Sequence, residues 1–128
     1  MKVRESALRL KRFEAEEKAQ KASSLEQMVR EFEQMAMDLE RQIQAEEERT
    51  GVRDSTHFAY STFARSAAQR RENLLASISD LQAKLDTAIV ERDDLLAELE
   101  QVDAVQQRDD ERMHSHNLRS EPLHASGS

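Results

Sequence analysis

Residues 60–102 read YSTFARSAAQRRENLLASISDLQAKLDTAIVERDDLLAELEQV. Along this stretch Tyr60, Ala64, Ala67, Arg71, Leu74, Ile78, Leu81, Leu85, Ala88, Arg92, Leu95, Leu99 and Val102 follow one another at alternating steps of four and three. A mean step of about 3.5 residues is slightly tighter than the 3.6 of a straight helix, so the stripe stays on one contact line only if the helix supercoils left-handedly about a partner. The stretch therefore predicts one strand of a coiled coil. Arg71 and Arg92 stand on the stripe where apolar residues are expected. Their stems are expected to lie along the seam while their heads reach flanking carboxylates, fixing alignment at some cost in stability.

Upstream of this helix lies Gly51, the one glycine before Gly127. It follows AEEERT, where a residue in the left-handed conformation ends a helix, and Asp54, Ser55 or Thr56 can cap the next. The reading is a helix over about 2–49, a turn over about 50–55 and a helix over about 56–112. So short a connection makes the helices antiparallel and sets side by side residues whose numbers sum to roughly 106. The first helix shows its stripe at Leu25, Met28, Phe32, Met35 and Leu39, thinning to Ala15, Ala19 and Ala22 toward the start. Charge agrees with the alignment. Residues 1–21 hold seven basic and four acidic side chains, net +3, and lie near the acidic stretch 93–112, with two basic and eight acidic, net −6. Residues 22–49, with three basic and eight acidic, net −5, face 57–84, with four basic and two acidic, net +2. Exposed pairs of this kind select a register more than they add stability.

Beyond Arg112 the heptad ends in MHSHNLRSEPLHASGS, and a flexible tail is expected over 113–128. The fold class is thus all-α: a long two-helix antiparallel coiled-coil hairpin, residues 1–112, with a disordered C-terminal tail. With 35% charged and 4% aromatic residues among 128, no wide core is available, and an isolated pair of this kind calls for a partner or for self-association. The absence of cysteine fits a reducing compartment. MKVRESALRLKRFEAEEK has no apolar signal-peptide core, and no run of about 18 apolar residues occurs, so the expected location is cytoplasmic, without direct membrane insertion.

Catalytic chemistry finds no support. Two glycines cannot build a phosphate-binding loop, and carboxylates on a solvated helix face lack the apolar pocket of a general acid. No cofactor is expected. His114, His116 and His124 fall in the tail with no completing ligand set, so no metal is expected either, and His57 beside Phe58 stays unassigned. Arg4, Arg9, Lys11, Arg12, Lys18 and Lys21 cluster at the start, but a net charge of −7, a pI of about 5.1 and the interleaved Glu14, Glu16 and Glu17 argue against nucleic acid. Three of the five aromatics, Phe58, Tyr60 and Phe63, gather after the turn, opposite roughly Ile43 to Glu48. Tyr60 and one phenylalanine are expected to lid the stripe against Ile43 and Leu39. Spread around a helix, the three cannot all face inward, and an outward aromatic marks a docking point.

ALRLKRFEAEEKAQ near the start, the acidic break EEERTG and the string HFAYSTFARSAAQRRENL together resemble the FliJ-type component of the flagellar type III export apparatus, over about residues 1–105. The resemblance implies a non-enzymatic stalk similar to the central shaft of rotary ATPases, about 70 Å long at 1.5 Å per residue. It implies as partners the hexameric export ATPase, an export-gate membrane protein and export chaperones, and a place at the cytoplasmic face of the membrane held through those partners. By position, Leu8, Arg9, Arg12 and Leu99 would enter the ATPase ring, and the surface near Met35, Leu39, Phe58, Tyr60 and Phe63 would meet the gate. The family often extends its second helix with a largely basic continuation, whereas this chain has RDDERMHSHNLRSEPLHASGS there. The alternative reading is a generic scaffold coiled coil that self-associates.

Overall fold

The computed structural model describes the backbone of residues 2–126 and the side chains of residues 4–116. It is all-α: α1 spans Lys2–Thr50, α2 spans Thr62–Ser126, and among the described residues there is no strand. The chain forms two compact units, one of residues 18–90 and one of residues 1–17 with 91–128.

In the unit of residues 18–90, α1 and α2 pair along the expected α2 stripe, with Tyr60, Ala64, Ala67 and Ala88 buried and Arg71, Leu74, Ile78, Leu81 and Leu85 half-buried. Leu39, Ile43, Tyr60, Ala64 and Ala67 form one apolar cluster, and Ala22, Leu25 and Ala88 another. The α1 stripe differs from expectation. Leu25, Phe32 and Leu39 lie on it, but Met28 and Met35 are exposed, and Val29 and Ala36 take their places. The reason is the continuation of the repeat: the line through Val29 and Ala36 carries Ala15, Ala22 and Ile43, all buried, whereas the line through Met28 and Met35 carries Glu14, Lys21 and Gln42.

The α1 repeat also does not fade. In the unit of residues 1–17 and 91–128, Ala15 is buried, with Leu8 and Lys11 half-buried at the same spacing, facing Leu95, Leu99 and Val102. Lys11 on the stripe reaches across to Glu98, 2.5 Å away. Arg12 lies 3.7 Å from Asp103 and Arg4 lies 3.8 Å from Asp109, so the net-positive start meets the acidic stretch of α2 as its charge required.

The register is shifted from the expected one. Position 66 was expected opposite Glu40, but Glu40 pairs with Arg71 at 3.2 Å, more than one turn along α2. Both seam arginines reach carboxylates, Arg71 across the pair and Arg92 to its neighbour Asp93 at 3.1 Å. The shift comes from the connection, which runs over residues 51–61 rather than 50–55 and delays α2 to Thr62. At the far end, α2 continues past Arg112 to Ser126, since nothing in 113–121 forbids a helix once one is under way. The flexibility expected of 113–128 concerns mainly residues outside the described side chains.

Candidate partner-binding tip

The connection is built from small hydrogen-bonded pieces. Gly51, at φ 74°, donates its N–H to the Glu47 carbonyl at 2.8 Å, the left-handed cap expected at this position. Asp54 does not start a helix. Its carboxylate accepts from the Thr56 N–H at 2.9 Å and the Thr56 hydroxyl at 2.7 Å, and its carbonyl accepts from the His57 N–H at 3.0 Å. That closes a turn, and a second follows as the Tyr60 N–H donates to the His57 carbonyl at 3.0 Å. The hydrogen bonds from Thr56 hold the Asp54 carboxyl below its ordinary pKa. The true cap of α2 is Ser61, whose Oγ accepts from the Ala64 N–H at 3.2 Å while its carbonyl takes the first helical bond from Arg65 at 3.0 Å.

Two glutamates at the end of α1 tie this loop down. The Tyr60 hydroxyl donates to Glu47 Oε2 at 3.0 Å, and the Ser61 hydroxyl donates to Glu46 Oε1 at 3.1 Å. Glu46 also pairs with Arg49, whose hydrogen bond is the main cause of its lowered pKa. Burial, and then the bond to Glu47, raise the Tyr60 phenol. The Arg65 guanidinium lies 5.9 Å from the Tyr60 ring centre and donates to the Ser55 carbonyl at 3.2 Å.

The aromatics are thereby divided. Tyr60 is 7% exposed and is the lid that the sequence led us to expect, but neither phenylalanine joins it: Phe63 is 55% exposed and Phe58 is 94% exposed. Val52 packs where the second lid residue was expected. Phe58 and Tyr60 precede α2, so their directions follow the two turns and not a helical spread. Phe58 stacks on His57, ring centres 4.6 Å apart, and His57 Nδ1 accepts the Ala59 N–H at 3.0 Å. A bare aromatic thus stands on a loop held by backbone and side-chain hydrogen bonds.

Of the residues assigned to the gate, Phe58, Phe63 and Met35 are accessible, whereas Leu39 and Tyr60 are buried and act beneath the surface. Met35 lines a shallow groove with Asp38, Gln42, Arg70 and Leu74. In the other unit, Arg9 and Arg12 are exposed, Leu8 is half-buried and Leu99 is buried; Leu8, Arg9 and Arg12 line one groove with Asp103 and Gln106. Among the described residues no three acidic or histidine side chains are placed to hold a metal, and no helix is long and apolar enough to cross a membrane. His114 and His116 are exposed, and His124 lies outside the described side chains.

Sequence reasoning missed Glu46, Glu47 and Ser61. The one available signal was Ser61 three places before the seam residue Ala64, the spacing of an N-cap to the amide that it satisfies. Compared with models of known families, with curated proteins and with solved structures, the chain matches none.

Proposed function

We propose that the chain is a non-enzymatic coiled-coil component of the flagellar type III export apparatus, coupling or escorting between the export ATPase and the export gate. The observation that carries the reading is Phe58: an almost wholly exposed aromatic, held on an ordered loop at the end of a paired helix, is suited to insertion in a partner's pocket. Phe63 widens that contact, while Met35, about 15 residues before the end of α1 and thus about 22 Å along the helix, makes a separate one. Leu8, Arg9 and Arg12 are the ATPase-facing set in this reading, with Leu99 buried in the seam of the same unit, and export chaperones are further partners. The protein acts at the cytoplasmic face of the membrane without a catalytic group, metal or cofactor of its own.

The test is binding of the purified chain to the export ATPase and to the soluble domain of the gate protein. Phe58→Ala with Phe63→Ala should leave helicity intact and weaken gate binding; equal affinity before and after removes the docking role. In-cell cross-linking should recover the ATPase through residues near 1–20 or 90–110. Recovery of only the chain itself puts the scaffold reading first, a reading favoured by the exposed Met37 and Leu75.

A further inference from the structure

α2 carries more apolar surface than α1 covers. Directly after the stripe residues Ala67, Leu74 and Ala88 come Ala68, Leu75 and Ile89, a second line of the same spacing broken only at Gln82. In the unit of residues 18–90, Ala68 and Ile89 are half-buried against the first cores, but Leu75 is left 38% exposed. Met37 of α1 stands with it, 52% exposed. Together with Ala36 and Ile78 they floor a shallow groove rimmed by Glu33, Arg41 and the Glu40–Arg71 pair. A helix with apolar residues on two adjoining lines is built for two neighbours, and α1 supplies one.

The charges around this groove fit the groove itself. Arg41 lies four residues after Met37 and Glu33 four residues before it. If a second α1 runs antiparallel over the first with Met37 against Met37, Glu33 of each copy meets Arg41 of the other. The same operation sets Gln34 against Glu40 and Arg30 against Gln44; on α2, about Leu75, it sets Arg71 against Ser79 and Ala68 against Gln82. Within two turns of the axis no like charges meet; three turns out, Glu26 of each copy lies against Glu48 of the other. The opposite face of this unit carries Met28 and Met35, and a two-fold axis there at Ser77 would set Arg70 against Lys84.

We infer that a second copy of this chain covers the groove, the two packing face to face about a two-fold axis at Met37 and Leu75. The interface is isologous, with an apolar centre and a rim of reciprocal Glu33 to Arg41 pairs. The inference does not depend on the export reading.

The full chain has no cysteine, so Met37→Cys introduces a single thiol that the axis places beside its own copy. Sedimentation of the wild type should give twice 14.7 kDa, and mild oxidation of Met37→Cys should give a covalent dimer, whereas Met35→Cys on the opposite face should not. Glu33→Arg and Arg41→Glu should each weaken the dimer at least about tenfold, a change of about 1.4 kcal/mol, and the two together should restore it. A mass other than twice the monomer, cross-linking through position 35 in place of 37, or a double reversal weaker than each single change overturns the inference. All four side chains are exposed, so folding is not at stake in these variants.

Discussion

Gly51 shows how little a residue need touch to matter. A Cβ at this position would meet nothing within 4 Å, so Gly51→Ala is free of clash and bears only the left-handed backbone at φ 74°. It should lower stability by about 1 kcal/mol, with Gly51→Asn milder, in denaturant melts followed by circular dichroism. Ser61 has two tasks, accepting the Ala64 N–H and donating to Glu46. Ser61→Ala should cost about 1 kcal/mol, as loss of a cap does. Ser61→Asp, ordinarily a sound cap, should give no recovery at neutral pH, because its carboxylate would face that of Glu46 without a proton to share. If Asp restores full stability, the hydroxyl's bond to Glu46 is of no consequence. The loop also has a pH signature. Asp54 and Glu46 have folded-state pKa values below their ordinary ones, so their contribution is complete above the ordinary carboxylate pKa, about 4, and is lost as pH falls through the lowered values. Exchange of the Thr56 and Ala64 amides should accelerate in that window ahead of amides in the middle of α1. Simultaneous acceleration along α1 would mean that the carboxylates do not hold the loop.

At the level of the helix, the alanine contacts set the outcome. Leucine is usually the stronger residue at a coiled-coil seam, yet Ala22, Ala64 and Ala88 are buried to within 1% of full closure. Ala64→Leu or Ala88→Leu should therefore destabilise by about 1–3 kcal/mol through overpacking. A gain in melting temperature would show that the helices can move apart freely. Arg92 predicts the reverse. It sits on the seam, and among the described residues its ion pair is with adjacent Asp93, so Arg92→Leu should stabilise by about 1 kcal/mol, whereas Arg71→Leu also removes the pairing with Glu40 across the helices and should gain less. The alanines also explain what could be read in advance. The α2 stripe was legible in full because its three-four steps run unbroken from Tyr60 to Val102, whereas the adjoining line through Ala68 and Leu75 breaks at Gln82. On α1 two lines share Leu25, Phe32 and Leu39, one through Met28 and Met35 and one through Val29 and Ala36, and side-chain size favoured the wrong one. Extending both lines by sevens decides it: Val29 and Ala36 lead to Ala15, Ala22 and Ile43, whereas Met28 and Met35 lead to Glu14, Lys21 and Gln42. The start of α2 was not legible from caps alone, since Asp54 and Ser61 are both sound ones; Asp54 is taken up by its turn with Thr56 and His57, and Ser61 is tied to Glu46.

Across the whole molecule, the two units are held by different forces, and this gives a prediction that no single residue makes. In the unit of residues 18–90, ten apolar side chains from Ala22 to Ala88 are buried. In the unit of residues 1–17 and 91–128, the buried apolar side chains among the described residues are Ala15 and Leu99, with Leu8, Leu95 and Val102 half-buried, and the exposed ion pairs of Arg4 with Asp109, Lys11 with Glu98 and Arg12 with Asp103 carry a larger share of the pairing. Exposed pairs contribute little each, and the Debye length falls to about 3 Å in 1 M salt. Amides of 5–15 and 92–110 should therefore exchange faster than those of 22–45 and 64–88, and added salt should widen the difference by accelerating the first set alone. Alkali should act on the same unit. The hydrogen bond to Glu98 raises the Lys11 pKa, so its contribution is complete below the ordinary lysine value, about 10.4, and is lost as pH rises through the raised one. The Tyr60 phenol, raised by burial, should loosen the tip in the same direction, so an alkaline titration reads both units at once. Lys11→Met separates them: it removes the Lys11 contribution to the alkaline step at amides 5–15 and leaves the step at residues 57–61 unchanged. If both steps disappear together, the units do not open independently, and a single cooperative transition replaces the two.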